Sequence, residues 1–112
     1  MKLPKAGSPI EAEMALHFRA SGIQVLREVR FHPDRKWRFD FMVVDTNLFV
    51  EIEGITYEGG RHQRKGGFEE DCLKYAEAQL LGYKVLRVTG QMVKSGYAIQ
   101  AVERLMKWTT TH

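Results

Sequence analysis

The segment from Arg38 to Glu53 most constrains the fold, because strand-like apolar runs lie on both sides of a short polar turn and three acids are set into them. Phe39, Phe41 to Val44 and Leu48 to Val50 flank the turn residues Asp45 to Asn47, which is the pattern of a β-hairpin. With Asp45 and Thr46 as the loop, Val44 pairs with Asn47, and counting back along both strands sets Asp40 opposite Glu51. Side chains alternate faces with a period of two, so Glu53 joins them. Moving the turn to Thr46 and Asn47 pairs Asp40 with Glu53 and still keeps the three acids on one side. A three-residue loop would separate them.

Carboxylates gathered in this way repel unless a cation neutralises them or a proton is taken up. Oxygen donors suit Mg²⁺ or Mn²⁺ rather than zinc, and Mg²⁺ commonly takes one or two carboxylates and leaves its remaining positions to water and substrate phosphate. The arrangement therefore points to phosphate chemistry. The plainer alternative makes Glu51 and Glu53 the solvated face of an edge strand.

At 112 residues the chain has the size of a single small domain spanning 1–112, with one core expected over about 8–93. Net charge is only +3, yet the basic residues crowd into Arg35, Lys36 and Arg38 and into Arg61, Arg64 and Lys65. Two basic clusters around an acidic site suit a binder of a phosphate backbone, where lysine and arginine supply much of the affinity. Cys72 is the only cysteine, which excludes an intrachain disulfide and a cysteine-rich zinc site and fits a reducing cytoplasm. No apolar run is long enough to span a bilayer, so no membrane association is expected.

Ser8, Pro9 and Glu11 read as a helix start, with Ser8 as N-cap, and Ile10, Met14 and Phe18 form an apolar stripe ending near Gly22. Strands are expected over 24–32, 37–44 and 48–53. A glycine-punctuated loop from Gly54 to Gly67 leads to a second helix with Phe68, Cys72, Ala76 and Leu80 inward and Gly82 at its end. The strand over 83–89 follows a helical crossover, which suits a central or parallel position. A last helix is expected over about 97–108, followed by a frayed tail. The fold class is α/β, a mixed sheet flanked by helices in the order α-β-β-β-α-β-α.

That order, with Asp40 on the second strand and Glu51, Ile52 and Glu53 on the third, resembles the PD-(D/E)XK nuclease superfamily, the restriction-endonuclease-like fold. The segments Phe31 to Phe41, Val50 to Gly54, Gly59 to His62, Asp71 to Tyr75 and Leu81 to Val88 are similar to small phage-type and bacterial endonuclease domains of the Vsr-like and DUF559 groups. Phe39 stands where the motif proline would precede Asp40, and Glu53 replaces the motif lysine. The resemblance implies a Mg²⁺- or Mn²⁺-dependent DNA endonuclease in repair, recombination or phage DNA processing. Asp40 and Glu51 would be metal ligands, with the Ile52 carbonyl as a third, and Glu53 would hold or deprotonate water. The resemblance also implies that a Glu-x-Glu variant can remain active, as in some restriction-enzyme relatives.

Several residues keep two readings. Lys74 either replaces the motif lysine or pairs with Glu70 one helical turn away. Glu11 either completes the site or serves the capping box of Ser8. His62 either donates a proton to the leaving oxygen or binds phosphate, or is a solvated loop residue. Arg61, Arg64 and Lys65 are expected on the DNA backbone. Trp37 is placed in the core beside Phe39 and Phe41, while His17 and His32 have no evident partner. A domain of this size cutting both strands would act as a symmetric homodimer. The competing functions are a catalytically silent nucleic-acid-binding module and a nuclease subunit supplying half a site.

Overall fold

The computed structural model describes residues 8–54 and 67–111, with side chains as far as Lys107. Helix α1, Pro9–Ala20, starts as its sequence requires: the Ser8 hydroxyl accepts the Glu11 amide at 3.2 Å. It ends on Gly22, whose φ of +72° is costly for a side-chain-bearing residue, while the Ile23 amide bonds back to the Phe18 carbonyl at 3.0 Å. Strands β1, Val25–Arg30, β2, Arg38–Val43, and β3, Leu48–Glu53, form an antiparallel meander. Helix α2, Gly67–Leu80, then crosses to β4, Lys84–Thr89, which runs parallel to β3. The sheet order is β1-β2-β3-β4, so β4 is parallel but at the edge rather than central. The chain closes with α3, Gly90–Lys94, capped by Thr89, and α4, Tyr97–Thr111. The short α3 is an addition to the expected element order.

Helices α1, α3 and α4 cover one face, with Met14, Phe18, Phe41, Val50, Val88, Val93 and Val102 between them and the sheet. Helix α2 covers the other, over an aromatic layer in which Phe39 and Phe49 rings lie 4.7 Å apart and Phe31 stacks on Phe39 at 4.9 Å. Phe39 and Phe41 are thus on opposite faces although two residues apart, which a regular strand does not allow. The same reversal occurs in β1, between Val25 on the α1 side and Val29 on the α2 side. It coincides with Glu28, whose φ is +52°, opposite Asp40.

The inward face of α2 differs from its apolar stripe. Tyr75 and Ala78 pack on the aromatic layer, whereas Phe68 is 70% and Leu80 80% exposed, and Cys72 and Ala76 are exposed too. The aromatic layer already supplies the apolar partner, and long amphipathic side chains from 74, 75 and 77 cover it while keeping their polar ends at the rim. Trp37 also lies apart from Phe41, half-buried on the Phe31 side with its indole NH donated to Glu70 at 3.1 Å. Among the described residues no helix is long and apolar enough to cross a membrane.

This helix phase predicts a sharp contrast in urea denaturation. Phe49→Ala, at a fully buried ring, is expected to cost about 3–5 kcal/mol. Leu80→Ala should stay within about 0.5 kcal/mol. A large loss at Leu80 would show that α2 packs through its apolar stripe.

Candidate active site

The turn sets the site. Phe41 pairs with Val50 and Met42 with Phe49, which is the register of a loop at Asp45 and Thr46 and brings Asp40 opposite Glu51. The Asp45 φ of +64° and the Thr46 hydroxyl, which donates to the Val43 carbonyl at 2.8 Å and accepts the Leu48 amide at 3.0 Å, hold that loop. Asn47 then ties it to the α2–β4 turn through the Gly82 carbonyl at 2.8 Å.

Beyond Phe41 and Val50 the backbone pairing of β2 and β3 stops, and side chains take its place. The Ile52 amide donates to Asp40 Oδ2 at 2.8 Å, and the Asp40 amide donates to Glu51 Oε1 at 3.1 Å. Two carboxylates are thereby held at fixed positions where the strands part. A third comes from α1: Glu11 is only 7% exposed, and its Oε2 has no hydrogen-bond partner among the described residues. Arg27 Nη2 approaches that oxygen at 3.6 Å, longer than a hydrogen bond. A fourth, Glu28, was not foreseen. Glu11, Glu28 and Asp40 each offer an oxygen within 4.8 Å of the others.

Lys74 reaches this group from α2. Its Nζ donates to Glu51 Oε2 at 3.1 Å and lies 4.4 Å from the centre of the Phe39 ring. Glu70, the alternative partner, is taken by Arg35 Nη1 at 3.0 Å. Glu53 points to the same side as Glu51, but its Oε2 is engaged by Arg87 Nε at 2.8 Å and the Tyr75 hydroxyl at 3.2 Å. Arg38 is exposed with Nη1 3.9 Å from Glu28, and Lys36 is exposed. His32, expected to lack a partner, bonds Glu77 at 2.8 Å through Nε2 and accepts the Asp34 amide at Nδ1. Arg61, His62, Arg64 and Lys65 lie outside the described residues.

Crowded burial shows in the proton affinities. Desolvation, then the charges of Asp40 and Glu28, raises the Glu11 pKa to about 7 against the opposing Arg27. Desolvation and Asp40 raise Glu51 to about 7 despite Lys74. Asp40 is raised as well, chiefly by burial, with the Ile52 amide opposing. A donor set of clustered carboxylates, one with an unsatisfied buried oxygen, fits a hard divalent cation.

The site thus sits in a nuclease-like fold, a mixed four-stranded sheet with helices on both faces. Among solved structures, the catalytic domain of the homing endonuclease I-Bth0305I is similar, with a TM-score of 0.65 and 17% identity over 93% of this chain and 97% of that one. At that identity the likeness is one of fold. No protein-family model matches the sequence, and no curated protein matches it significantly.

The raised carboxylates set the pH dependence of the metal-free protein. Glu11 binds its proton more tightly folded, at about 7, than at its ordinary value of 4.5, so the native state holds more protons between these limits. Stability must then fall as pH rises through that window, by on the order of 3 kcal/mol for Glu11 alone, and Glu51 adds in the same direction. Urea midpoints in EDTA should be higher at pH 5 than at pH 8, and Glu11→Gln should reduce the difference. Equal midpoints in the wild type would contradict the buried-acid geometry.

Proposed function

We propose that the chain is a divalent-cation-dependent DNA endonuclease of the PD-(D/E)XK type, related to the Vsr-like and DUF559 groups and acting in repair, recombination or phage DNA processing. The observation that carries this reading is Asp40 at the point where β2 and β3 part, with Glu11 and Glu51 beside it and Lys74 on Glu51. The shared fold with an endonuclease catalytic domain supports it.

Asp40, Glu51 and Glu11 would hold Mg²⁺ or Mn²⁺, with the Ile52 carbonyl as a further candidate ligand. When bound, the cation lowers the pKa of water and neutralises charge on the phosphate. In phosphodiester hydrolysis a water oxygen bonds to phosphorus, the water gives up a proton, and the ester oxygen departs and takes one up. Lys74 stands in for the lysine that Glu53 replaces: fixed between Glu51 and the Phe39 ring, it orients the water and opposes the growing negative charge. The Glu51 oxygen that the cation leaves free would accept the water's proton. Glu53 is assigned to anchoring Tyr75 and Arg87 rather than to the water, because its Oε2 is already engaged by both. His62 remains the candidate to protonate the leaving oxygen. Cutting both strands of a duplex would use two copies related by a two-fold axis.

Cleavage assays in Mg²⁺ beside an EDTA control test this directly. Asp40→Asn should abolish cleavage in a folded protein, since it removes a ligand charge and also relieves repulsion. Lys74→Met should lower kcat by ~10²-fold or more with DNA affinity retained, and Glu53→Gln by less than about tenfold. Undiminished cleavage by purified Asp40→Asn would sink the proposal, and a larger effect at Glu53 than at Lys74 would reverse their roles.

The basic cluster of Arg61, Arg64 and Lys65, together with Arg35, Lys36 and Arg38, is assigned to the phosphate backbone. Replacing Arg61, Arg64 and Lys65 with alanine should make the slope of log affinity against log salt shallower by about two to three. Binding in Ca²⁺ across a salt series measures it. A slope equal to wild type would move the DNA path onto Arg35, Lys36 and Arg38.

A further inference from the structure

Strand β1 contains a backbone feature that its pairing does not require. Glu28 has a φ of +52°, in the left-handed region that residues other than glycine seldom occupy. The register with β2 is the same on both sides, Arg27 with Phe41 and Val29 with Phe39, so no inserted residue forces the twist. The consequence is local. Glu28 joins Glu11 and Asp40, with an oxygen of each within 4.8 Å of the others. Arg38 Nη1, 3.9 Å from Glu28 Oε1, is an exposed partner whose attraction water screens.

An acidic cluster alone would not make a site, but Glu11 adds an independent sign. Its side chain is more than nine-tenths buried, offers an oxygen to the cluster, and carries an Oε2 with no hydrogen bond among the described residues, where Arg27 Nη2 stands 3.6 Å away. A buried carboxylate crowded by two other acids, with one guanidinium beyond hydrogen-bond reach, gains from a cation bound among them. We propose that Glu28 is a ligand of the divalent cation and closes an all-carboxylate site with Glu11 and Asp40. This rests on the cation-dependent reading above and adds to it a residue from a strand outside the acidic hairpin. Three single-oxygen carboxylates would leave positions open for water and a phosphate oxygen, as Mg²⁺ and Mn²⁺ prefer. The strained backbone of Glu28 then serves to aim its carboxylate at Asp40.

Mn²⁺ binding to the full chain without DNA, read by calorimetry and by the Mn²⁺-induced shift in Tm, tests the proposal independently of catalysis. Wild type should bind saturably, and Glu28→Gln should bind at least about tenfold more weakly. Glu28→Gly should show the same loss while melting higher than wild type in EDTA, because glycine accepts the positive φ and one repelling acid is gone. The glycine variant carries the test if glutamine disturbs folding. Unchanged Mn²⁺ affinity in Glu28→Gln overturns the ligand role and leaves the cation-dependent reading intact. A lower metal-free Tm with unchanged affinity in Glu28→Gly also overturns it, assigning Glu28 a structural role. No Mn²⁺ binding by wild type overturns both.

Discussion

Everything at the site depends on the place where β2 and β3 stop pairing through their backbones. Asp40 Oδ2 accepts the Ile52 amide and Glu51 Oε1 accepts the Asp40 amide, so carboxylates substitute for carbonyls just where the strands separate. Each charge is thereby positioned by a hydrogen bond that a regular ladder would have used within the sheet. The arrangement also limits what can follow. With acids from α1, β1, β2 and β3 drawn toward one point, burial raises their proton affinities, and a proton or a cation must relieve the repulsion.

The two helical layers supply the remaining constraints. On one face α1 packs Phe18 against Phe41 and thereby presents Glu11 beside Asp40. On the other, α2 lies over Phe39 and Phe49, and Lys74 crosses the Phe39 ring to reach Glu51. The reversal of facing between Phe39 and Phe41 puts Phe39 in the aromatic layer and Phe41 in the opposite core, with Asp40 between them. Arg87 and Tyr75 hold Glu53 at the margin of this group, and Arg87 lies over the Tyr75 ring at 4.4 Å.

The hairpin was legible because turn residues and strand alternation are local: Asp45 and Thr46 define the register that sets Asp40 opposite Glu51. The caps of α1 at Ser8 and Gly22, and the end of α2 at Gly82, were legible for the same reason. The phase of α2 was not. Its strongest apolar stripe, Phe68, Cys72, Ala76 and Leu80, is exposed, while Tyr75 and Ala78 face an aromatic-rich layer assembled from all four strands. Only the tertiary arrangement decides between those faces. Lys74 was ambiguous on its helix because Glu70 stood at the right spacing, and Arg35, distant in sequence, resolves the competition. Glu28 carried little signal, since a glutamate does not announce a left-handed backbone; an acid within an otherwise basic and apolar strand was the one hint. Thr89 before Gly90 marks the cap of α3, a cue too short to separate from a turn.

If these carboxylates form one cation site organised by Asp40, anomalous diffraction from crystals grown with Mn²⁺ would locate the ion directly. A peak is expected in contact with the Asp40 carboxylate, flanked by Glu11 and by acids of β1 or β3, while the Ile52 amide still bonds Asp40. A peak placed away from Asp40, or a β2–β3 ladder closed through its backbone at that residue, would contradict it.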